Sequence, residues 1–307
     1  MTSLRRSPSA RAGSPLISDL NLLGLSEPVI NASGTFDAIA ARRAFGEALL
    51  ERFPFAAYVT KTVTIAPRQG NPPPRLYELP AGLMNSIGLP NKGLEAFLAE
   101  DLPKLAELPV PLIVNVMGNT HDDVSRLVET VGERDEVSAL ELNVSCPNVK
   151  TGLTFGADPR EVAGLLDAVR ARTGKPLIVK LTPNCASPAD VAAAAEQHGA
   201  DAVSLINTLR GMALHRGEPW LGGKTGGVSG PAVRAIALAQ VAEVSARVDL
   251  PVIGMGGIQS GRHADDLLRA GADLVAVGTE SFRDPLAGER VRKELRALRP
   301  GRFPVPG

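Results

Sequence analysis

Short apolar runs alternate with amphipathic stretches along most of the chain. The runs have the length of buried strands, and the stretches between them repeat apolar residues at the spacing of a helix face. The strand-like runs are Ala56–Thr60, Leu83–Ser86, Leu112–Val116, Ala139–Val144, Leu177–Leu181, Ala202–Ile206, Val252–Met255 and Leu274–Val277. The helical patterns are Leu94–Leu105, Val124–Val131, Arg160–Arg172, Pro188–His198, Pro231–Arg247 and His263–Ala270.

The order of these elements predicts the fold class. Strands that are apolar on both faces and alternate with helices are typical of α/β proteins with a parallel sheet. A doubly wound open sheet would also fit, but the even spacing of eight units favours a closed (β/α)8 TIM barrel. Two further runs, Leu22–Leu25 and Pro28–Asn31, predict a short N-terminal strand pair ahead of the barrel.

The first residues differ in composition from the rest of the chain. Met1–Ser18 is rich in Arg and Ser and contains no acidic residue, as in an organelle transit peptide. Pro8, Gly13 and Pro15 would break the amphipathic helix that such a peptide needs. We therefore predict a disordered tail over residues 1–18 and a single domain over residues 19–307.

Composition and charge exclude several classes of function. Apolar residues make up 44% and charged residues 21%, which suits a globular protein with a sizeable core. The 33 basic and 33 acidic residues give no net charge, which argues against a nucleic acid or an anionic membrane as partner. No apolar run approaches the ~20 residues of a membrane span. The two cysteines form no disulfide framework, which predicts a cytoplasmic location.

Polar residues or glycines lie at or just past the carboxyl end of the strand-like runs. In a TIM barrel this is the end of the strands that carries the active site. The residues are Lys61-Thr62, Asn85-Ser86, Asn115, Asn143 with Cys146, Lys180, Asn207-Thr208, Gly256-Gly257 and Gly278-Thr279. Their concentration on one rim is the strongest functional signal in the sequence.

These residue types indicate the ligand. Asparagine both donates and accepts hydrogen bonds, so a ring of asparagines suits a planar heterocycle with alternating N–H and C=O groups. Lys61 and Lys180 would bring positive charge into the same cavity, which predicts an anionic ligand. Gly256, Gly257 and Gly278, with Gly230 ahead of a helix, resemble the phosphate site that barrels form after their last two strands. Flavin mononucleotide (FMN) meets all three requirements, whereas a flavin-free lyase or isomerase acting on a sugar phosphate would use only the phosphate site.

Other kinds of site are not indicated. The run Gly254–Gly257 lacks the G-x-G-x-x-G spacing of a dinucleotide fingerprint. The four histidines show no metal-ligand spacing, so no metal is predicted. No C-x-x-C occurs, so the chain cannot by itself hold an iron–sulfur cluster with four cysteine ligands.

One cysteine lies next to the predicted site. The stretch Ala139–Asn148 reads A-L-E-L-N-V-S-C-P-N, and its first half alternates as a short strand does. Pro147 ends the strand, which leaves Cys146 on a loop where a thiol can be exposed and reactive. A lone cysteine is more often a small core residue, so Cys146 gains weight only from the polar residues around it.

The ordered set of motifs resembles the dihydroorotate dehydrogenase family, in particular the catalytic subunit of its NAD-linked class 1B enzymes. The matching motifs run from about Leu20 to Pro285. They are Ala32-Ser33-Gly34, Lys61-Thr62, Gly70-Asn71-Pro72 with Pro74-Arg75, Asn85–Leu89, Asn143–Asn148, Ile206–Leu209, Ser229-Gly230-Pro231, Gly254–Gly257 and Val277-Gly278-Thr279.

The resemblance implies an activity and a role for each site residue. Cys146 would remove the C5 proton of (S)-dihydroorotate while hydride leaves C6 for N5 of FMN, giving orotate in the de novo synthesis of UMP. Lys180 would stabilise negative charge on the reduced flavin. The residues implied to bind dihydroorotate or orotate are Lys61, Asn85, Ser86, Ile87, Gly88, Leu89, Asn143, Asn207 and Thr208. The residues implied to bind FMN are Ser33, Lys61, Thr62, Asn115, Asn143, Lys180, Ile206, Gly230, Gly256, Gly257, Gly278 and Thr279.

The class determines which partner is expected. Ile206–Leu209 and Asn148-Val149-Lys150 favour class 1B, in which electrons pass to NAD through a partner subunit carrying FAD and a 2Fe-2S cluster. The implied assembly is a homodimer joined to that subunit as a heterotetramer. A class 1A homodimer that reduces fumarate and a catalytically silent scaffolding subunit are the alternatives. The segments Lys150–Gly156 and Arg210–Gly227 are predicted to be mobile lids over the site.

Overall fold

The computed structural model describes residues 23–145 and 155–303. Within these residues, strands and helices alternate along the chain, with a second set of short strands inserted between them. The strands are β1 (Val29–Asn31), β2 (Tyr58–Val59), β3 (Leu76–Leu79), β4 (Gly82–Asn85), β5 (Leu112–Val116), β6 (Ala139–Asn143), β7 (Leu177–Lys180), β8 (Ala202–Leu205), β9 (Leu209–Gly211), β10 (Leu214–His215), β11 (Glu218–Pro219), β12 (Gly226–Ser229), β13 (Val252–Met255) and β14 (Leu274–Val277). The helices are α1 (Ala38–Phe45), α2 (Ala48–Glu51), α3 (Leu94–Ala96), α4 (Leu102–Leu105), α5 (His121–Gly132), α6 (Pro159–Val169), α7 (Pro188–Gln197), α8 (Arg234–Arg247), α9 (Gly261–Arg269) and α10 (Ala287–Leu298).

The parallel sheet closes into a barrel. Among the described residues it has eight strands in the order β1-β14-β13-β8-β7-β6-β5-β2. Its two end strands meet, because the Ala56 N–H donates to the Val29 carbonyl at 2.9 Å and Asn31 bonds to Val59. The predicted TIM barrel is confirmed.

Two strand assignments made from the sequence are wrong. Leu83–Ser86 was predicted to be a barrel strand, but β4 lies in a separate antiparallel sheet with the order β3-β4-β12-β9. The missing barrel strand is β1, which the sequence assigned to an N-terminal strand pair. The described part of its supposed partner, Leu23–Leu25, is a turn. A short apolar run does not reveal which sheet it joins, so these errors come from pairing rather than from element type.

Two apolar cores flank the barrel sheet. Side chains along each strand alternate between the barrel interior and the helical layer. The outer core packs strand residues such as Leu140 and Val203 against helix residues such as Leu127 and Leu166. The inner core consists of alternate strand residues with Leu25: Ile30, Ala32, Ala57, Val59, Ile113, Ala139, Ile178, Ala202, Ile253, Met255, Leu274 and Ala276.

The helices begin where the sequence supplies a capping side chain. Thr120 accepts from the Asp123 N–H at the start of α5, and Ser187 and Ser260 do the same for α7 and α9. Asp158 caps α6 ahead of Pro159, a residue suited to the first helical position. Among the described residues, no helix has the length and apolarity that crossing a bilayer requires.

We expect Asn31→Ala to lower the free energy of unfolding by about 3 kcal/mol, because two buried backbone groups lose their partners. Asn31 is fully buried; its Nδ2 donates to the Val59 carbonyl and its Oδ1 accepts from the Val59 N–H, both at 2.8 Å. Urea unfolding followed by circular dichroism measures the change. The exposed Asn119, replaced by alanine, is the control and should shift stability by less than about 0.5 kcal/mol. An equal loss in both variants would contradict the role of Asn31 in closing the barrel.

Candidate functional site

A polar layer lies inside the barrel toward the carboxyl ends of its strands. Counting two residues onward from the inner apolar residues of β5, β6, β7 and β8 reaches Asn115, Glu141, Lys180 and Ser204. Asn115 is paired with Glu141 in the strand register, and Lys180 with Ser204. All four are buried, with exposed fractions of 0, 3, 6 and 0%. We call these four residues the polar layer.

Glu141 organises hydrogen bonding in this layer. Its Oε1 accepts from Asn115 Nδ2 at 3.0 Å, and its Oε2 accepts from Ser204 Oγ at 3.4 Å. Asn115 Oδ1 is then left buried with no hydrogen-bond donor among the described residues. A buried acceptor of this kind is normally satisfied, so it marks a place where a ligand N–H can bind.

Lys180 brings a buried cation into the same layer. It is the last residue of β7 and is 6% exposed. No ion pair joins it to a carboxylate in the described part of the chain; the register places it beside the neutral residues Asn143 and Ser204. Because a buried ammonium without a counterion is costly, the position predicts an anionic ligand.

The rim above the polar layer is held together by short polar contacts. Ser33 Oγ donates to the Thr60 carbonyl at 2.8 Å, which joins the loops after β1 and β2. Asn143 Nδ2 donates to Thr62 Oγ1 at 3.4 Å, which joins the ends of β2 and β6. The structure therefore brings Ser33, Thr62 and Asn143, all predicted from the sequence, to one mouth of the barrel.

Lys61 lies at this mouth in an exposed ion pair. Its Nζ is 2.8 Å from Asp37 Oδ2, and Asp37 also caps α1 by accepting from the Ala40 N–H. Burial raises the pKa of the Asp37 carboxyl, but the Lys61 hydrogen bond and charge and the backbone N–H groups of Ala40 and Ile39 outweigh it and hold that pKa below its ordinary value. Asp37 is thus a carboxylate that any anionic ligand of Lys61 must displace.

Gly230 and the glycines that follow β13 and β14 form a narrow turn at the mouth. Gly230 (φ 83°) precedes α8, and Gly256 and Gly257 follow β13. A Cβ at Gly257 (φ 70°) would stand 3.0 Å from the Gly230 carbonyl oxygen and 2.8 Å from Arg234 Cβ. Only glycine allows the two loops to approach in this way. Gly278 and Thr279 complete the turn, with Thr279 Oγ1 2.9 Å from Ser229 Oγ.

Two titratable side chains lie near this turn: Arg234, whose guanidinium is paired with Asp266, and His263 on α9. Burial lowers the pKa of His263, and the charge of Arg234 lowers it further. Its Nδ1 accepts from the Gln259 N–H at 3.2 Å, as a neutral imidazole does. The glycine turn therefore offers backbone N–H groups rather than an imidazolium charge to a phosphate.

The antiparallel sheet brings the remaining predicted residues over the barrel. Asn85 ends β4 opposite Gly227 of β12, whereas Asn207 and Thr208 follow β8 directly. A Cβ at Gly227 would stand 1.9 Å from Thr208 Oγ1, so that side chain rests on the glycine. Ser86, Ile87, Gly88 and Leu89 continue from β4, and Asn71 Nδ2 donates to Ser86 Oγ at 2.9 Å. Asn85 and Ser86 thus reach the site from the covering sheet, not from a barrel strand as predicted.

Cys146 and most of the predicted lid Lys150–Gly156 lie outside the described residues. The described residues on either side meet at the mouth, because the Gly156 N–H donates to the Val144 carbonyl at 2.7 Å. Asn143 Oδ1 accepts from the Ser145 N–H at 3.2 Å, so the residue before Cys146 is tied to a predicted ligand contact. The second predicted lid, Arg210–Gly227, contains the β10–β11 hairpin and parts of β9 and β12; its mobility stays a prediction.

The other cysteine differs in environment. Cys185 is half-buried after β7, and its Sγ donates to the Thr182 carbonyl at 3.4 Å. Burial raises the pKa of this thiol, so it stays protonated at neutral pH. Cys185 is therefore poorly suited to act as a base.

The sequence analysis missed two members of the polar layer, Glu141 and Ser204. The signal was present for Glu141, which alternates with Leu140 and Leu142 on the same face as Asn143. A charged residue at an inward position of a barrel strand has no solvent to face and must serve the interior. Ser204 carried no such signal, because serine is common in buried strands.

Comparisons with known proteins agree with this architecture. A sequence profile described as dihydroorotate dehydrogenase matches residues 16–298. The chain is 46% identical over 282 residues to the dihydroorotate dehydrogenase B (NAD(+)) catalytic subunit of Pelobacter propionicus, covering 90% of this chain and 91% of that protein. It is 44% identical over 276 residues to the protein of the same name from Bacillus pumilus, covering 89% and 88%.

A solved structure supports the fold alone. The dihydroorotate dehydrogenase of Eimeria tenella, crystallised with ferulenol, superposes with a TM-score of 0.73 at 24% identity, covering 93% of this chain and 85% of that one. At that identity the match says nothing about individual side chains. The profile match and the bacterial relatives, which cover nearly the whole chain, show that it belongs to the dihydroorotate dehydrogenase family.

Proposed function

We propose that this chain is the catalytic subunit of an NAD-linked dihydroorotate dehydrogenase, which oxidises (S)-dihydroorotate to orotate in pyrimidine biosynthesis. The bacterial relatives carry that name. The observation that supports the proposal most directly is the polar layer, which contains both the Lys180 cation and a buried acceptor on Asn115 that has no donor among the described residues. A purely structural barrel interior would be apolar at these positions.

The described residues fit FMN as the cofactor. The Asn115 acceptor suits an N–H of a flavin ring, and Lys180 suits its electron-rich pyrimidine edge. The glycine turn suits a phosphate bound by backbone N–H groups. Ser33, Thr62, Asn143 and Ile206 would complete the binding site. When bound, FMN would accept the hydride that leaves C6 of dihydroorotate.

The chain's own residues would position the substrate and take its proton. The Cys146 thiolate is the proposed base: its sulfur takes the proton from C5 while the C6 hydride departs, which leaves the C5–C6 double bond of orotate. Asn85, Asn143 and Asn207 supply amide groups that match a pyrimidine-dione ring. Lys61 would pair with the substrate carboxylate, and Ser86 to Leu89 and Thr208 would close over it.

Replacing Asp37 by asparagine should strengthen orotate binding about two- to five-fold, since an exposed ion pair that competes for Lys61 is worth at most about 1 kcal/mol. Asparagine caps a helix as well as aspartate does, so α1 should be retained. The dissociation constant of orotate, measured by titrating the flavin spectrum, tests this. Asp158→Asn, which alters the N-cap of α6, is the control and should leave orotate affinity unchanged. Weaker binding in Asp37→Asn would show that Lys61 does not receive the carboxylate.

The proposed electron route needs a second protein. We propose that electrons leave through a partner subunit carrying FAD and a 2Fe-2S cluster, in a heterotetramer built on a homodimer of this chain, in the cytoplasm. The names of the relatives as catalytic subunits support a partner. Co-purification of the two chains, with NAD reduction only when both are present, would establish it. Fumarate reduction by this chain alone would instead assign it to class 1A.

The proposed reaction has a direct test. Purified protein should be yellow and should lose its visible absorbance when dihydroorotate is added without oxygen. A colourless preparation that fails to take up added FMN would exclude the flavin and favour a flavin-free barrel enzyme. A yellow protein that does not bleach would retain the cofactor but exclude the substrate.

A further inference from the structure

We propose that Glu141 is a positioning residue for the cofactor, acting through Asn115. Its carboxylate fixes the orientation of the Asn115 amide, so that the amide oxygen can bind only a ligand group that donates a hydrogen bond. The inference rests on the proposed function, because the ligand concerned is the flavin.

The first step concerns the amide itself. An asparagine side chain can rotate by half a turn and exchange its donor and acceptor at little cost unless its surroundings decide between them. A carboxylate only accepts, and Glu141 Oε1 lies 3.0 Å from the Asn115 nitrogen. The nitrogen must therefore face Glu141, which leaves Oδ1 as the group without a partner.

The second step concerns Glu141. Its other oxygen accepts from Ser204 Oγ at 3.4 Å, and Ser204 is fully buried on the next strand but one. No Lys, Arg or His of the described residues forms an ion pair with this carboxylate, which is 3% exposed. A buried carboxylate outside any ion pair is costly even with the Lys180 cation in the same layer, and it fills no packing role in a barrel whose lower interior is apolar. Orienting Asn115 gives it a purpose.

The third step is selectivity for the ligand. An acceptor that cannot become a donor favours a ring presenting N–H at this point and disfavours one presenting only C=O or a ring nitrogen with a lone pair. The penalty for facing an acceptor with an acceptor is the loss of a buried hydrogen bond and is about 5- to 100-fold in affinity. Glu141 would in this way extend the recognition of the flavin to a residue that does not touch it.

The test measures FMN binding to the full chain stripped of flavin, by quenching of FMN fluorescence. Glu141→Leu, which is apolar and lets the amide rotate, should weaken FMN binding about 10- to 100-fold. Glu141→Gln should weaken it less, because its side-chain oxygen can still accept from Asn115 although its amide can also rotate. The control is Ser125→Ala on α5, which removes a buried hydroxyl whose hydrogen bond to the Ala168 carbonyl lies in the helical layer; it should change FMN affinity by less than about three-fold.

A swapped pair separates orientation from packing and from net charge. Asn115→Asp alone places two carboxylates against each other and should weaken FMN binding at least about 10-fold. Combining Asn115→Asp with Glu141→Gln restores one donor between two acceptors and keeps the total charge, so affinity and the flavin absorption spectrum should recover. A structural role for Glu141 predicts no such recovery.

Several results would overturn the inference. One is a folded Glu141→Leu variant that binds FMN as tightly as the wild type. Another is a swapped pair that binds no better than Asn115→Asp alone while its thermal unfolding matches the wild type. If Glu141→Leu does not fold, the swapped pair decides the question by itself. Failure of the wild type to bind FMN at all would refute the proposed function instead, and is therefore distinguishable.

Discussion

Replacing Cys146 by serine should slow the reduction of bound flavin by dihydroorotate about 10³-fold at neutral pH, with FMN still bound. General-base catalysis requires a group that is partly deprotonated at the working pH, and a serine hydroxyl is a far weaker acid than a thiol. The wild-type rate should rise with pH until the thiol is ionised and then level off. The rate of the serine variant should keep rising with pH, because its hydroxyl is not ionised in the accessible range. Anaerobic stopped-flow measurement of flavin bleaching gives both profiles.

The second cysteine provides a matched control. Cys185 likewise comes a few residues after a barrel strand in the sequence, but burial raises the pKa of its thiol and its Sγ donates to the Thr182 carbonyl. Cys185→Ser should therefore leave the rate and its pH profile unchanged. A rate loss in Cys185→Ser as large as that in Cys146→Ser would remove the reason for assigning the base to Cys146.

The barrel could be predicted from the sequence because its strands are buried on both faces. That burial produces continuous apolar runs such as Leu177–Leu181, which periodicity detects and which helices separate at regular intervals. The three-residue strand β1 was predicted as a strand, but its short run does not show that it pairs with β14 and that Asn31 closes the barrel. The partner strand β14 is far from β1 in the sequence, and local patterns do not show which distant strands pair.

The antiparallel sheet β3-β4-β12-β9 is a second case in which an apolar run did not reveal its pairing partner. Leu83 to Asn85 have the apolar character of a barrel strand, but they pair with β3 across a two-residue turn and with β12 from a distant loop. Asn85 and Ser86 stay predicted site residues, now placed on the antiparallel sheet rather than on a barrel strand.

The polar layer was only half predictable. Asn115 and Lys180 were identified because they lie one residue before the end of their apolar runs, whereas Glu141 lies in the middle of its run and was read as part of the alternation. The role of Glu141 depends on Asn115 on the neighbouring strand β5 and on Ser204 on β8, which approach it only after the barrel closes. Hydrogen-bond networks of this kind depend on the register in which the strands pair, and the sequence alone does not reveal that register.

Replacing Lys180 by methionine should lower the rate of flavin reduction about 10²- to 10³-fold, because a fixed cation no longer stabilises the negative charge that develops on the flavin. The midpoint potential of the bound flavin should fall as well, since the reduced form loses more stabilisation than the oxidised form. The size of the effect follows from burial: at 6% exposure, water screens the Lys180 charge little. Spectroelectrochemical titration measures the potential independently of the rate.

The control residue, Lys175, comes just before the same strand. Lys175 precedes β7 at the amino-terminal end of the barrel, so Lys175→Met makes the same chemical change on the side away from the predicted site. It should leave both the rate and the potential unchanged, whereas Lys180→Arg should keep the potential near that of the wild type because it retains the charge. If Lys180→Met and Lys175→Met proved equally active, the unpaired cation at the end of β7 would have no part in the reaction. In that case the free-energy cost of burying the Lys180 ammonium would have to be offset by a ligand other than the flavin.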